Sequence, residues 1–406
     1  MIRILLGGSP CTFWSCAQKN NRETEASGMG WELFKNYLIA KEKFKPDYFL
    51  YENNVSAAKP IKEQIKKESG VWDGTFLTPY SDVWYIEINS ALVSAQNRER
   101  FYVHNCGEVG QPKDRGILLI DVLESGLTDK DKAYCLKHQA GNARDYFKKH
   151  HTQVAFEPIP IQMAQNDKAR TIKAQYVQSA MANFLTNGGY QATGVAEPIQ
   201  VGAMPRPNGG GQGAKTGLYT IPLEKFNYAT EFDKDGKPTK AYCYADGKIH
   251  TVYEVKDDKI TIKGKEYTIK LPDGFYIIRK LTVAECRRLQ TVPDWYQMPC
   301  SDTQNYKMLG NGWTIEVIKH ILSHIPGIAS GQPIEVLSMY DGMSCGQIAL
   351  KELGANVVKY YATEIDKYAI QTTQANFPDT IQLGDAFQVR DNDFEEKINS
   401  LIKELR

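Results

Sequence analysis

The stretch IRILLGGSPC at residues 2–11 decides how this chain can fold. Residues 2–6 are apolar except for Arg3 and predict a buried strand, and the two glycines that follow predict a tight turn. Because glycine has no side chain to obstruct the backbone, the turn can hold Cys11 out at the edge of a sheet. A thiol presented in this way suits a nucleophile.

A second predicted strand supplies an acid at the same edge. Residues 48–51 are apolar and are followed by ENNV at residues 52–55. Since the carboxyl ends of neighbouring parallel strands meet at one edge of a sheet, we expect the Glu52 carboxylate to lie beside the Cys11 thiol. A thiol and an acid in this arrangement can attack an electron-poor ring while protonating it.

The composition is that of a soluble globular protein with room for two or three domains. The chain has 406 residues, of which 42% are hydrophobic and 24% charged, and its formal net charge is +1. No apolar run approaches the roughly 18 residues that span a bilayer, and the N-terminus has the pattern of a core strand. We therefore expect no membrane partner and no signal peptide. The eight cysteines form no CxxC motif, which favours reduced thiols in a cytoplasm.

The charges are unevenly distributed along the chain. Residues 137–173 carry seven Lys or Arg against three Asp or Glu, whereas residues 331–406 carry twelve acids against seven bases. The net charge by itself argues only weakly against nucleic-acid binding, and a face with a basic excess can meet phosphates. An ordinary solvated surface explains the same charge runs equally well.

The order of predicted elements divides the chain into five parts. Residues 1–105 alternate strands and helices, which is an α/β pattern. From 106 to 275 this pattern gives way to glycine clusters, Asp-Gly turns and short strands. Helices return over 276–325, residues 326–333 have the composition of a linker, and 334–406 return to strand, turn and helix.

The last part has the pattern of a nucleoside-binding half-sheet. Residues 334–339 predict a buried strand that leads to the turn DGMSCG at 341–346, and the two strands after it end in Glu364 and Asp385. An acid at the end of the second strand is well placed to hold the ribose hydroxyls of a nucleoside cofactor. The turn lacks a complete GxGxxG and is by itself a weak signal.

Taken together, these motifs resemble those of the DNA (cytosine-5)-methyltransferase family, and several are close to its eukaryotic de novo branch. The matching residues are Gly8-Ser9-Pro10-Cys11, Glu52-Asn53-Asn54-Val55, Gln96 with Arg98 and Arg100, 281–293, Gly310-Asn311, Tyr340-Asp341-Gly342, Glu364 and Asp385. The resemblance covers most of the chain outside 106–275.

The resemblance implies a Rossmann-like α/β sheet that binds S-adenosylmethionine, plus a smaller, loop-rich mixed domain at 106–275 that recognises the target. In the family the cofactor turn comes first, whereas here the catalytic motif comes first and the cofactor half, 334–406, comes last. This order indicates a circular permutation in which 1–105 and 334–406 build one sheet, with the linker at 326–333 where the usual termini would be joined. The alternative is a fusion of two truncated genes, but a damaged fusion would be expected to lack a motif.

The resemblance also implies the chemistry. S-adenosylmethionine would donate a methyl group to carbon 5 of cytosine after Cys11 has added to carbon 6, with Glu52 protonating or hydrogen-bonding ring nitrogen 3. Arg98 and Arg100 would hold the base oxygen and the adjoining phosphate or carboxylate. Because a stacked duplex hides these atoms, the target base must be flipped out.

Thirteen residues are implied in binding the cofactor. Tyr340 would lie near the adenine, Glu364 would bind the ribose, and Asp385 the adenine amino group. Ile365 would pack on the adenine face, and residues 311–313 would bind the methionine end. For Trp313, a role as an ordinary core residue is the alternative. The full set is Asn311, Gly312, Trp313, Tyr340, Asp341, Gly342, Met343, Cys345, Gly346, Glu364, Ile365, Asp385 and Ala386.

The implied polymer substrate is double-stranded DNA. Residues 12–28 resemble the mobile loop that closes over the flipped base, and 106–275 occupies the position of the domain that reads the DNA sequence. Candidate DNA contacts are Ser15, Lys19, Arg22, Lys137, Arg144, Lys148, Lys149 and Arg170. A cognate restriction endonuclease is a further expected partner if the enzyme belongs to a restriction-modification system. The expected setting is the cytoplasm, with the gene prokaryotic or phage-encoded.

Two other functions stay open. One branch with this fold modifies cytosine in tRNA, although that branch keeps the region corresponding to 106–275 short. A non-catalytic DNA-binding regulator with the same fold would have lost catalytic or cofactor residues, whereas Cys11, Glu52, Arg98 and Glu364 are all present. The sequence identifies neither the recognised DNA sequence nor the oligomeric state.

Overall fold

The computed structural model describes residues 1–15, 22–71, 82–136, 147, 154–158, 248–262, 264–396 and 398, together with short strands between 200 and 245. The strands are β1 (Ile2–Gly7), β2 (Tyr48–Asn54), β3 (Trp84–Asn89), β4 (Glu99–His104), β5 (Val154–Pro158), β6 (Gln200–Val201), β7 (Leu218–Tyr219), β8 (Asn227–Phe232), β9 (Pro238–Ala245), β10 (Lys248–Lys256), β11 (Lys259–Ile262), β12 (Lys265–Thr268), β13 (Gly274–Lys280), β14 (Ile334–Met339), β15 (Val357–Thr363) and β16 (Ile381–Gly384). The helices are α1 (Gly28–Phe44), α2 (Lys59–Ser69), α3 (Leu119–Val122), α4 (Val283–Leu289), α5 (Asp302–Asn311), α6 (Ile315–Leu322), α7 (Cys345–Glu352) and α8 (Lys367–Asn376). None of these helices is long and apolar enough to span a membrane.

The larger sheet has seven strands and carries the predicted α/β pattern. Its order is β16-β15-β14-β1-β2-β4-β3. The five strands from β16 to β2 run parallel, and β4 and β3 continue the sheet in antiparallel pairs. Apolar side chains from the helices cover both faces. The predicted Rossmann-like fold class is confirmed.

The two terminal parts of the chain meet in the middle of this sheet. Strand β1 pairs with β14 in parallel along its whole length, from Ile2 opposite Ile334 to Gly7 opposite Met339. Because paired strands lie about 5 Å apart, the turns that follow β1 and β14 leave the sheet side by side. The circular permutation itself remains a prediction, since it concerns the order of motifs in other chains.

Local sequence accounts for several element ends. Helix α4 opens on the predicted capping box, in which the Thr282 hydroxyl accepts from the Glu285 N–H at 3.1 Å and the Glu285 carboxylate accepts from the Thr282 N–H at 2.7 Å. Helix α2 ends at Gly70, which has the left-handed φ of 84° that glycine tolerates best.

Two predicted elements have different bounds in the structure. A strand predicted over 83–93 stops at Asn89, because the Asn89 side chain accepts from the Ala91 N–H at 2.9 Å and starts a one-turn 3-10 helix, Ser90–Leu92. A helix predicted over 393–405 extends largely outside the described residues.

A second, antiparallel sheet forms within the loop-rich part of the sequence. Its order is β12-β11-β10-β13-β5, with β9 pairing with β10 and β8 with β9. Phe156, Ile260 and Tyr276 lie in its core. Strand β13 continues to Lys280, five residues past the domain boundary predicted at 275.

Residues 106–136, which the sequence interpretation assigned to the recognition domain, pack on the larger sheet. Cys106, Leu119 and Leu136 are buried in the same core as β1 and β14. This segment therefore belongs to the packing that supports the strand ends of the larger sheet.

A buried ion cluster joins the second sheet to helix α4. The Arg279 guanidinium on β13 contacts Glu157 on β5 at 2.6 Å and Glu285 on α4 at 2.8 Å. Since an unpaired charge at such a site is costly, these three side chains hold the second sheet against the helix.

Candidate active site

The turn after β1 places Cys11 at the edge of the larger sheet. Cys11 is half-buried and is the first residue of a one-turn 3-10 helix, Cys11–Phe13. Burial raises the pKa of the Cys11 thiol above its usual value, and the nearby Arg100 guanidinium opposes that rise. Cys11 is therefore a thiol at neutral pH, next to a cation that favours the thiolate.

The Glu52 carboxylate is held from two sides. Its Oε1 atom pairs with Arg100 Nε at 2.9 Å, and its Oε2 atom accepts a hydrogen bond from Trp313 Nε1 at 3.0 Å. Glu52 is only 8% exposed, so both contacts are shielded from water. Trp313, for which a core role was the alternative, thus contacts the carboxylate predicted to be the catalytic acid.

Arg98 contacts the turn between α5 and α6. Its Nη1 atom donates to the Gly310 carbonyl at 3.2 Å and its Nη2 atom to the Gly312 carbonyl at 2.8 Å. Arg98 was predicted to hold the base or a phosphate, but these donors bind protein carbonyls. Only its buried Nε atom lacks a partner among the described residues.

Cys135 is a site residue that the sequence interpretation missed. Its sulfur accepts from Arg98 Nη1 at 3.3 Å and from Arg100 Nη2 at 3.8 Å. Burial raises the pKa of this thiol, but the two guanidiniums outweigh burial and leave the pKa below its usual value. No motif marks Cys135 in the sequence, because the residue reaches the site only through tertiary packing.

The backbone around Cys135 is tied to the strand-end region by Gln96. Its side-chain oxygen accepts from the Leu136 N–H at 2.7 Å, and its amide nitrogen donates to the Leu289 carbonyl at 3.1 Å. Gln290, also missed from sequence, donates to the Gly312 carbonyl at 3.2 Å. The Gln96 amide nitrogen also donates to Gln290 Oε1 at 3.3 Å, so the two side-chain amides link the Gln96 motif to the Gly310–Asn311 motif.

The predicted cofactor residues line the same edge, at the ends of β14, β15 and β16. The Glu364 carboxylate accepts from the Gly342 N–H at 2.8 Å, and the Tyr340 hydroxyl donates to the Leu33 carbonyl at 2.8 Å. Asp385 accepts from the Phe387 N–H at 2.9 Å.

The remaining predicted cofactor residues surround the turn after β14. A Cβ at Gly312 would lie 3.2 Å from the Cys345 sulfur, and a Cβ at Gly346 would lie 2.5 Å from Leu6, so both glycines are needed for close packing. Met343 and Ala386 are buried, whereas Asn311, at the end of α5, is exposed.

The residues at this edge fit a nucleoside cofactor. Ile365 leaves 75% of its surface exposed beside Glu364, which offers an apolar platform next to a carboxylate. Asp341 is buried with its Oδ2 atom unpartnered among the described residues. Carboxylates accept hydrogen bonds from hydroxyl and amino groups, and an exposed aliphatic side chain packs on a ring face.

The candidate DNA contacts fall into two groups. The Arg22 guanidinium donates to the Trp14 and Ser56 carbonyls, so these donors bind protein oxygens. Ser15 is half-buried, and its N–H donates to the Cys11 carbonyl at 2.9 Å. The other candidates lie outside the described residues: Lys19, Lys137, Arg144, Lys148, Lys149 and Arg170.

Gly8 leaves the space in which the Glu52 carboxylate sits. A Cβ at this position would lie 3.0 Å from Glu52 Oε2 and 3.2 Å from Trp313 Nε1. We expect Gly8→Ala to displace the carboxylate and lower kcat roughly 100-fold, measured as methyl transfer under substrate saturation. Gly110→Ala is the control, because nothing lies within 4 Å of its added Cβ. If Gly8→Ala had the wild-type kcat, the conclusion that a side chain at residue 8 displaces the Glu52 carboxylate would be wrong.

Asp341 gives the stability a defined pH dependence. Burial raises the pKa of its carboxyl from 3.8 to about 6, although the Tyr360 hydroxyl donates to Oδ1 at 2.8 Å. The folded chain therefore keeps a proton that the unfolded chain releases. We expect the free energy of unfolding to fall as the pH rises from about 4 to 6, by on the order of 3 kcal/mol.

The measurement is urea unfolding across this pH range for the wild type and Asp341→Asn. The amide does not titrate, so the stability difference between the two should grow in favour of the variant up to about pH 6 and then level off. Asp379→Asn, at an exposed position, is the control. If the free energies of unfolding of the wild type and Asp341→Asn changed in parallel with pH, the expectation that the folded chain holds a proton on Asp341 would be refuted.

Fold and site together define a Rossmann-like methyltransferase whose nucleophile and cofactor candidates share one sheet edge. Residues 1–327 match the family model of C-5 cytosine-specific DNA methylases, and the chain belongs to this family. The family implies S-adenosylmethionine as the methyl donor. The matched residues end before β14, so the family match does not include the predicted cofactor residues at the ends of β14, β15 and β16.

Two solved structures resemble the chain weakly. A DNMT2 mutant from Spodoptera frugiperda is 14% identical, covers 79% of this chain and 78% of its own, and has a TM-score of 0.33. The Dnmt2 methyltransferase of S. pombe is 11% identical, covers 80% and 77%, and has a TM-score of 0.28. Nothing further about this chain follows from such low scores. No curated protein matches the chain.

Proposed function

We propose that this chain is a DNA cytosine-5 methyltransferase that attacks a flipped-out cytosine through Cys11. One observation carries the proposal: Gly7 and Met339 face each other at the ends of paired parallel strands. The turn that bears the nucleophile therefore adjoins the turn that would bear the cofactor. Family membership supplies the reaction class, and DNA as the polymer belongs to the proposal.

The Cys11 sulfur forms the bond to carbon 6 of the base. Burial raises the pKa of Cys11 and Arg100 opposes that rise. The thiol therefore gives up its proton to solvent as the sulfur adds to carbon 6, and Arg100 favours the thiolate that attacks. Glu52, after taking a proton from solvent, donates it or a hydrogen bond to ring nitrogen 3 and so takes up the negative charge that develops in the ring. Loss of the carbon-5 proton later expels Cys11.

The ion pair of Arg100 with Glu52 and the indole N–H of Trp313 orient the acid. Both contacts are 3.0 Å or shorter and largely shielded from water, so the carboxylate has little freedom to rotate. A rigid acid is already placed for the transition state and loses little entropy during the reaction.

S-adenosylmethionine, when bound, supplies the electrophilic methyl group. Glu364 would accept hydrogen bonds from the ribose hydroxyls and Asp385 from the adenine amino group, and Ile365 would pack on the adenine face. Tyr340 would lie near the adenine, and residues 311–313 would bind the methionine end.

Two features support DNA over tRNA. The antiparallel sheet of β5 and β8–β13 is a substantial unit inserted between β4 and α4, as expected for a module that reads a duplex. The basic excess over 137–173 would contribute phosphate contacts.

Bisulfite sequencing of DNA from cells that express the chain tests the proposal. We expect converted reads to retain cytosine at one recurring sequence, and cells that express Cys11→Ala to show none. In parallel, the purified chain should transfer radiolabelled methyl groups to unmethylated duplex DNA. Transfer to tRNA alone would overturn the choice of DNA, and transfer to neither polymer would overturn the enzyme.

A further inference from the structure

The turn that presents Cys11 is held from behind by a buried hydrogen-bond cluster. The Tyr51 and Ser9 hydroxyl oxygens lie 2.8 Å apart in a hydrogen bond. The Asn53 amide nitrogen donates to the Ser9 carbonyl and to the Tyr51 oxygen, each at 3.0 Å. Tyr51 and Asn53 are fully buried, and Ser9 is 4% exposed.

This cluster lies on the face of the sheet opposite the catalytic acid. Side chains alternate between faces along β2, so Tyr51 and Asn53 point to one face and Glu52 to the other. Tyr51 packs with the side chains of α1, whereas Glu52 contacts Arg100 and Trp313. The Gly8–Cys11 turn is thus held by Ser9 on one face while it borders Glu52 on the other.

The Tyr51 ring is a rigid base for this contact. Its centroid lies 5.0 Å from the ring centroids of both Phe34 and Tyr37, in tilted and edge contacts typical of packed aromatic clusters. A hydroxyl on a ring held in this way cannot follow Ser9 if the turn shifts. The Asn53 amide also donates to Ser9 Oγ at 3.2 Å, so Tyr51 and Asn53 together define the Ser9 position, and Ser9 keeps one partner if the Tyr51 hydroxyl is removed.

We propose that Tyr51 is a positioning residue for the nucleophile. Its hydroxyl fixes Ser9, and Pro10, whose φ is −49°, passes that constraint to Cys11. The inference rests on the proposed function, since it assigns Tyr51 a part in the attack by Cys11. Tyr51 touches neither the base nor the cofactor in this mechanism and acts only through the turn.

Tyr51→Phe tests the inference because it removes one oxygen and keeps the aromatic packing. We expect the single-turnover rate of methyl transfer to fall roughly ten- to hundredfold, with little change in KM for DNA or for S-adenosylmethionine. The rate of covalent adduct formation with 5-fluorocytosine duplexes should fall by the same factor. The thermal unfolding midpoint should change little.

Tyr37→Phe is the matched control. Tyr37 belongs to the same aromatic cluster, but its buried hydroxyl has no hydrogen-bond partner among the described residues. Its removal should leave both rates at the wild-type level. Ser9→Ala breaks the same hydrogen bond from the other end, and the double variant Tyr51→Phe/Ser9→Ala should be no slower than the slower single variant.

The outcomes separate the two proposals. If the wild type methylates its polymer and Tyr51→Phe is equally fast, the positioning role is refuted while the methyltransferase stands. If Tyr37→Phe slows as much as Tyr51→Phe, the effect is one of packing and the inference is also refuted. If the wild type methylates neither DNA nor tRNA, the proposed function fails.

Discussion

Cys11→Ala is expected to abolish methyl transfer, with kcat at least about 10⁴-fold below that of the wild type. The reason is chemical. Carbon 5 of cytosine is a poor nucleophile until a thiolate adds at carbon 6, and no other group in the proposed mechanism forms that bond. The measurement is methyl incorporation into a duplex that carries the recognition sequence found by bisulfite sequencing.

The same variant should fail to form the covalent adduct. A duplex with 5-fluorocytosine at the target has no carbon-5 proton to lose, so the wild type should remain attached to it after methyl transfer. Cys135→Ser is the critical comparison, because Cys135 contacts Arg98 and Arg100 and has a lowered pKa. We expect the adduct to persist in Cys135→Ser. If Cys11→Ala still formed the adduct and Cys135→Ser did not, the nucleophile would be Cys135.

Glu52→Gln is expected to lower kcat by about 10²- to 10⁴-fold. Glutamine keeps the shape and can still accept from Trp313, but it cannot donate a carboxyl proton to ring nitrogen 3. The substitution also leaves the buried Arg100 guanidinium without its anion, so the free energy of unfolding should fall by about 3 kcal/mol or more. Single-turnover kinetics and urea unfolding measure the two effects separately.

Glu335→Gln separates catalysis from stability. Glu335 is buried in β14 and pairs with Arg3 at 3.0 Å, away from the strand ends where Cys11 and Glu52 lie. Its replacement should lower stability and leave kcat near the wild-type value. If Glu335→Gln lost as much activity as Glu52→Gln, the loss in both variants would follow from the lower stability that comes with a broken buried ion pair. The role of Glu52 as acid would then be refuted.

Much of the fold was predictable because its signals are local. The apolar strand at residues 2–6, the Thr282 capping box and the glycine end of α2 depend on residues a few positions apart. The catalytic motifs were recognisable for the same reason, since Cys11 and Glu52 each follow directly on an apolar strand. That residues 1–105 and 334–406 build one sheet was inferred from the order of those motifs, and the structure joins the two parts by pairing β1 with β14.

The partners of the site residues were less predictable. Arg98 and Arg22 were assigned to substrate phosphates or the base, yet the structure shows their guanidiniums donating to backbone carbonyls. A guanidinium has five donors and binds any oxygen within reach, so the sequence identifies the donor but not the acceptor.

The sequence by itself determined the strand-and-turn units, the thiol and acid at their ends, and the family to which those motifs belong. Tertiary structure alone decided that Cys135 lies against the two arginines, that Trp313 holds Glu52, and that Tyr51 supports Ser9. The reason is physical. A turn or a cap depends on neighbouring residues along the chain, whereas contacts between residues tens or hundreds of positions apart arise only when the whole core packs and brings their elements together.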